Sequence, residues 1–375
     1  MTKKKVGTAG AMLLALSGAA HAAYELNLQP PVTKVAEQIY DLHMVMMWII
    51  LVIFVGVFGV MFYSIYAHRK SVGHKAEHFH ENTTVEIIWT IIPAVILVGM
   101  AWPATKTLLN LKDTTSPDIT IKATGYQWKW GYDYLRGEGE GISFLSSLST
   151  PQDQIVGTAP KDEHYLLETD NHLVVPVNRK IRLLTTANDV IHSWSVPAFG
   201  VKQDAIPGFV RDAWFKAEKP GTYRGQCSEL CGKDHGFMPI VVDVVSGEQY
   251  TAWVAEQKKK LAAGAEDSNK KWDLAGLKAR GEKVYSVNCV ACHQATGKGL
   301  PGAFPALDGS KIVNGPRAAH LDIVVNGSKK NPAMVAFGKQ LSDTDIAAVI
   351  TFERNSWGNK TGDVIQPSEV KAARK

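Results

Sequence analysis

The strongest constraint on this chain is a pair of apolar runs near its start. Residues 44–66 read MVMMWIILVIFVGVFGVMFYSIY, and residues 85–109 read VEIIWTIIPAVILVGMAWPATKTLL. As an α-helix each is long enough to cross a hydrocarbon core of about 30 Å. In hydrocarbon the backbone must satisfy its own hydrogen bonds, so helices are the form these segments take. Pro93 and Pro103 fall inside the second run, where packing against neighbours can take up the freed carbonyls. The connection between the runs carries His68, Arg69, Lys70, His74 and Lys75, and a short basic loop stays on the cytoplasmic side. The expectation is a two-helix transmembrane hairpin over 23–110, with everything after Leu109 outside. The start of the chain agrees. Three lysines, a short apolar run and Ala20-His21-Ala22 have the pattern of a secretory signal peptide over 1–22. In a bacterium this gives a two-pass protein of the inner (plasma) membrane with its bulk in the periplasm.

Glu86 sits at the cytoplasmic start of the second helix. A helix N-terminus favours an acid electrostatically, so a capping role is one reading; a carboxylate at membrane depth on a proton route is the other.

The remainder of the 375 residues divides into two folded parts, making the chain multidomain. The formal charge of +5 is mild and spread out, with no basic run interleaved with aromatics, so no nucleic-acid partner is expected. Over 111–247 the pattern shortens to alternating runs such as ITIKATGYQWKWGYDY and HLVVPVNRKIRLLTTAN, punctuated by Gly, Pro and Asn. That predicts an all-β sandwich or barrel. Trp128, Trp130, Tyr132 and Tyr134 alternate at strand period and share one face. Residues 137–161, rich in Gly and Ser, read as a surface loop. A helix and a solvated linker follow over 248–270, then a helical domain over 271–358 and a polar, frayed tail over 359–375.

Only four cysteines occur, in two close pairs, each beside a histidine. The first pair lies in GQCSELCGKDHGFMP, which crowds Cys227, Cys231, His235 and Met238 together, and His192 in DVIHSW is a natural distant ligand. A Cys2His2 zinc site leaves Met238 unused. A mononuclear blue-copper site leaves one cysteine unused. A third arrangement uses every residue: two thiolates bridge two copper ions, each ion takes one His, Met238 caps one and a backbone carbonyl the other.

The second pair lies in Cys289-Val-Ala-Cys292-His293, the attachment sequence for c-type haem, with Cys289 and Cys292 bonded to the haem and His293 the proximal iron ligand. Zinc or redox CxxC pairs are the alternatives. Met334 is the only methionine after His293, in KKNPAMVAFG, and is expected to be the sixth ligand; His320 is its rival. LSDTDIAAVITFERNSWG predicts an amphipathic helix with Ser342 as its N-cap.

GQCSELCGKDHGFMP, DVIHSWSVP, KQDAIPGF, GYQWKWGYDY and ENTTVEIIWTIIPA together resemble cytochrome c oxidase subunit II, over about residues 29–247. The resemblance implies a cupredoxin-like barrel with a binuclear copper A centre held by His192, Cys227, the Glu229 backbone carbonyl, Cys231, His235 and Met238. It further implies that the Glu229 side chain reaches a magnesium ion shared with subunit I. Trp128 would be where electrons arrive from cytochrome c, and Glu86 would lie at a proton-pathway entrance. The GEKVYSVNCVACHQATGKGLPGAFPAL stretch, the Met334 loop and the final helix resemble an all-α class I cytochrome c domain. Fusion of the two is the pattern of caa3-type oxidases. The implied function is to pass electrons from cytochrome c, or from the tethered haem c, through copper A to haem a of subunit I. That supports O2 reduction coupled to proton translocation, with subunit III as a further partner. A copper-A nitric oxide reductase subunit is one rival. A stand-alone membrane-anchored electron carrier or copper-handling protein is another, although two helices exceed what a simple anchor needs. Quinol oxidase subunit II shares the architecture but lacks the copper ligands.

Overall fold

The computed structural model describes residues 27–73, 80–267, 269–302, 304–330, 334, 336–338 and 341–374. The expected signal peptide, His74 and Lys75 lie outside the described residues.

The apolar runs form helices α1 (Lys34–Ala67) and α2 (Thr83–Lys112), and no residue of their apolar windows is buried within the protein. α1 begins about ten residues before the apolar run, because its first turn packs on protein. Thr33 caps it, its hydroxyl accepting from the Ala36 N–H at 3.0 Å and donating to the Phe199 carbonyl at 2.9 Å. The Val32 N–H donates to the Ala198 carbonyl at 3.0 Å. The outer end of α2 is fixed likewise: Asn110 bonds Gln38 at 3.0 Å, and its carbonyl accepts from Trp214 Nε1 at 2.9 Å. At the opposite end Asn82 caps α2, its Oδ1 accepting from the Val85 N–H at 3.1 Å. Glu86 Oε1 accepts from the Asn82 N–H at 3.3 Å. Glu86 is therefore seen in the capping geometry.

Ten strands follow: β1 (Ile119–Tyr126), β2 (Lys129–Arg136), β3 (Ser143–Ser147), β4 (Leu173–Pro176), β5 (Ile181–Ala187), β6 (His192–Val196), β7 (Val201–Ala205), β8 (Arg211–Phe215), β9 (Gly221–Cys227) and β10 (Pro239–Val245). They make two five-stranded sheets, β3-β2-β1-β5-β8 and β4-β10-β9-β6-β7. The β1–β5 and β4–β10 pairs are parallel. Trp130, Tyr132 and Tyr134 all point inward and are buried. The Gly/Ser-rich 137–161 segment is not one loop, as the sequence reading had it. It contains β3, paired with β2, and the short helix α3 (Gln152–Ile155). Ladder bonds come from the backbone, so a serine-rich edge strand pairs without an apolar signature.

Helix α4 (Gly247–Asp267) extends through most of the expected linker. The carboxyl-terminal domain then folds as a bundle of α5 (Leu274–Asn288), α6 (Val290–His293), α7 (Arg317–Asn326), α8 (Asp343–Arg354) and α9 (Pro367–Ala373). Ser342 caps α8 as expected, its Oγ accepting from the Asp345 N–H at 3.0 Å. The tail is a correction: it is not frayed. Ile365 and Val370 are 0% exposed. The Gln366 side chain exchanges two hydrogen bonds with the Trp272 backbone, each 3.0 Å. Asp363 is held by Arg317 and Arg354. Two apolar residues and a few matched polar groups suffice to pin a segment whose composition is polar.

On the sandwich, His172 links three parts of the chain. Its Nδ1 is 2.9 Å from Asp243 on β10, and its Nε2 is 3.5 Å from Glu168, which also binds Arg224 on β9. The bond to Asp243 raises the His172 pKa above its ordinary value, against the opposing effect of partial burial. A raised histidine stabilises the fold fully below about pH 6.5, and this contribution is lost as pH rises through the folded value. At a half-exposed site it is on the order of 0.5 kcal/mol. The melting temperature of the sandwich domain in His172→Gln should therefore fall below the native one at pH 5.5 and converge on it by pH 8.5. Parallel melting curves across that range would refute the linkage.

Candidate functional site

β6 opens on His192 and β9 ends on Cys227, and in these antiparallel neighbours Cys227 stands opposite Trp194, two residues along the strand from His192 and so on the same face. The chain then loops through Glu229 and Cys231 and makes a 3-10 turn at His235–Phe237 before β10. The Cys227 Sγ lies 3.8 Å from Cys231 Sγ, 3.9 Å from His192 Nδ1 and 3.4 Å from the Glu229 carbonyl oxygen. Cys231 Sγ is 3.4 Å from His235 Nδ1. Met238 joins through the backbone, its carbonyl accepting the Cys227 N–H at 3.0 Å, and its side chain is buried. The four side chains and the carbonyl named from the sequence thus come together, with Met238 adjoining. The Glu229 side chain is exposed and points to no partner among the described residues.

Both thiols are free, and 3.8 Å is far beyond the S–S bond length of about 2.05 Å. Burial is the largest influence and raises the Cys227 thiol, but the His192 hydrogen bond, the backbone at Glu229 and Ser193 and the His192 charge together outweigh it and bring the group down to about 7. Burial and then the neighbouring Cys227 push Cys231 up to about 12. One thiolate forms readily and opposes the second. Two adjacent soft sulfurs that cannot both ionise alone are a donor set a thiophilic cation completes, because binding displaces the protons.

The supporting contacts were not foreseen from the sequence. Asp189 Oδ1 lies 2.8 Å from His192 Nε2, leaving Nδ1 toward Cys227. Such a carboxylate fixes a ligating imidazole's orientation. Asp189 Oδ2 also accepts the Gln127 N–H at 2.7 Å. Gln127 Nε2 and Trp128 Nε1 both donate to the Cys231 carbonyl, at 2.8 and 3.2 Å. The turn between β1 and β2 is thereby tied to the cysteine loop. Gly125 makes room for the imidazole: a Cβ there would stand 2.6 Å from His192 Cδ2. The signal for Asp189 was the three-residue spacing in DVIH. Trp128 itself is buried, with the Lys233 ammonium 5.6 Å over its ring.

The second site is a cleft in the carboxyl-terminal domain. Cys289, Cys292, His293 and Met334 all line it. His293 Nδ1 is 2.9 Å from the Pro305 carbonyl, which leaves Nε2 as the free nitrogen. His320, the rival ligand, lines the cleft too, but its Nε2 is engaged by Glu353 at 2.8 Å. The sandwich contributes to the same lining through Tyr126, Gln127 and Lys129. Apolar packing also crosses this seam, Phe304 against the sandwich core and Tyr126 against the helical core.

Comparison with known proteins follows the same division. The family model for the cytochrome c oxidase subunit II periplasmic domain matches residues 119–245, and that for its transmembrane domain matches 21–108. Residues 276–352 match the family described as cytochrome c oxidase, cbb3-type, subunit III. Cytochrome c oxidase subunit 2 of Cereibacter sphaeroides is 40% identical over 245 residues, covering 62% of this chain and 80% of its own. That of Cyanidium caldarium is 38% identical over 234 residues, covering 62% and 90%. The crystal structure of the periplasmic domain of cytochrome oxidase subunit II from Bradyrhizobium japonicum is 50% identical, covering 39% of this chain and 96% of its own, with a TM-score of 0.34.

Proposed function

The chain belongs to the cytochrome c oxidase subunit II family, and from that premise we propose that it is a caa3-type subunit carrying both a binuclear copper A centre and one covalent haem c. It is an electron-transfer subunit of a haem–copper oxidase. It has a two-pass hairpin and a large extracytoplasmic part, which in our reading faces a bacterial periplasm. The observation that carries the copper assignment is the convergence of His192, Cys227, the Glu229 carbonyl, Cys231 and His235. Two coppers bound there would supply reversible one-electron chemistry. Cys227 and Cys231 would hold the ions through their thiolates, His192, His235 and the Glu229 carbonyl would be further ligands, and Met238 would be the weak one. Asp189 and Gly125 keep the His192 ring in place.

In the carboxyl-terminal domain the reading is a class I cytochrome c fold beside a cupredoxin sandwich. Cys289 and Cys292 would attach the haem, His293 would bind iron through its free Nε2, and Met334 would be the sixth ligand. Pro305 orients His293, and Glu353 withholds one nitrogen of His320. The exposed Glu229 side chain is the candidate for a magnesium ion shared with subunit I. Trp128 is proposed where electrons reach the copper domain and Glu86 at a proton-pathway entrance. Subunits I and III and a cytochrome c donor complete the assembly.

The test is metal and haem analysis of the purified chain: two coppers, one covalent haem and a mixed-valence copper signal are expected. One copper, or zinc in its place, would refute the copper assignment. In addition, Met334→Ala should abolish the low-spin Met/His haem spectrum while leaving the haem covalently bound. Survival of that spectrum would pass the sixth position to another group, with His320 Nδ1 the first candidate.

A further inference from the structure

Lys129 stands between two tryptophans at the start of β2, and its side chain does not reach solvent. The residue is 8% exposed. Its Nζ donates to the Asn288 carbonyl at 3.3 Å, one residue before Cys289, and lies 5.1 Å from the centre of the Phe337 ring. No carboxylate pairs with it among the described residues. Among the described residues that line the haem cleft it is the only lysine or arginine, and the only acid, Glu353, is already bound to His320. An ammonium this deep carries a desolvation cost of several kcal/mol, which a carbonyl and a ring face offset only in part. The fold nevertheless directs it from one domain into the cleft of the other, beside the cysteine pair.

We propose that Lys129, a residue of the copper domain, sets the reduction potential of the haem held by the carboxyl-terminal domain. A positive charge near the iron disfavours the ferric form, which carries one more positive charge than the ferrous form, and so makes the haem easier to reduce. The low-dielectric cleft magnifies that effect. Burial lowers the Lys129 pKa, and the charges opposing this are those of Cys289 and Cys292, which vanish once the thiols become thioethers, and then those of Asp170 and Asp189, which remain. The charge is then supported by the Asn288 carbonyl and the Phe337 face, both of which depend on the two domains being docked, and by the more distant carboxylates Asp170 and Asp189 of the sandwich itself. Lys129 thus acts through the field it places in the cleft, as a tuning and positioning residue.

The inference rests on the haem reading above, and the experiment separates the two. Full-length chain in the oxidase complex is titrated electrochemically, following the haem absorbance, after covalent haem is verified on a denaturing gel. In Lys129→Met the ferrous-to-ferric ratio at fixed potential should fall about tenfold, equivalent to about 59 mV for a one-electron couple. Lys129→Arg should keep the native potential, and the mixed-valence copper signal should persist in both variants. A Met variant that titrates with the native chain overturns the proposal. So does an Arg variant that falls as far as the Met variant, because packing rather than charge would then be the cause. A native chain without covalent haem would remove the haem reading itself.

Discussion

Cys231→Ser should eliminate the copper centre and reduce electron delivery to the oxidase by at least about 100-fold, above the 10–100-fold range of losses typical of outer-shell changes at metal sites. Serine is nearly isosteric, so the fold stays, and the effect isolates the sulfur. Cys231 Sγ lies 3.8 Å from Cys227 Sγ and 3.4 Å from His235 Nδ1, so it joins the two halves of the ligand set. Its carbonyl, which accepts from Gln127 and Trp128, belongs to the backbone and survives the substitution. The turn that carries Trp128 therefore stays docked, and any loss belongs to metal binding rather than to a displaced strand. The measurement is copper per chain together with the mixed-valence paramagnetic signal. The expected result is one copper or none and no mixed-valence signal. Two coppers with the signal intact would mean that Cys231 is no bridge.

The ligands were legible because most of them are local. Cys227, Cys231, His235 and Met238 fall within twelve residues, and His192 stands on a recognisable strand. The residues that make the ligands work were less visible. Asp189 touches both His192 and Gln127, but as a letter in the sequence it is an ordinary loop acid. Lys129 reads as a solvated strand residue, because the domain that buries it begins more than a hundred residues later. Distance along the chain hides such contacts, whereas spacing reveals ligands. The hairpin was legible in its lipid-facing part, where composition must answer to hydrocarbon, and illegible in the first turns of α1, where protein packing replaces lipid. The tail misled for the opposite reason. Its polarity is real, yet Ile365 and Val370 supply enough buried apolar surface, at about 1.5–3 kcal/mol each, to fasten it.

Gly281→Ala should be the most damaging single methyl addition in the helical domain. α5 and α8 cross at this residue, and a Cβ would stand 2.1 Å from the Ala348 carbonyl oxygen and 2.6 Å from both the Ala348 carbonyl carbon and the Phe352 Cβ. These are mainly backbone atoms, so no rotamer change relieves the clash and the helices must separate. Overpacking of this kind costs about 1–3 kcal/mol, and more where backbone is the obstacle. Alanine's better helix propensity returns up to about 1 kcal/mol. A net loss of about 2 kcal/mol lowers the melting temperature of a domain this size by about 8–16 °C. The consequences reach the cleft from both sides. α5 leads directly through Cys289 into the turn that holds Cys292 and His293. α8 carries Glu353, which holds His320, and Phe352, which packs with Tyr285 and Trp357. The copper domain has its own core, so the full-length chain should show two responses. With the proposed haem and copper as probes, the haem transition should move to lower temperature and the copper transition should stay. Equal shifts in both would mean that the two domains melt as one unit, and an unmoved haem transition would mean that α5 and α8 do not cross this closely in solution.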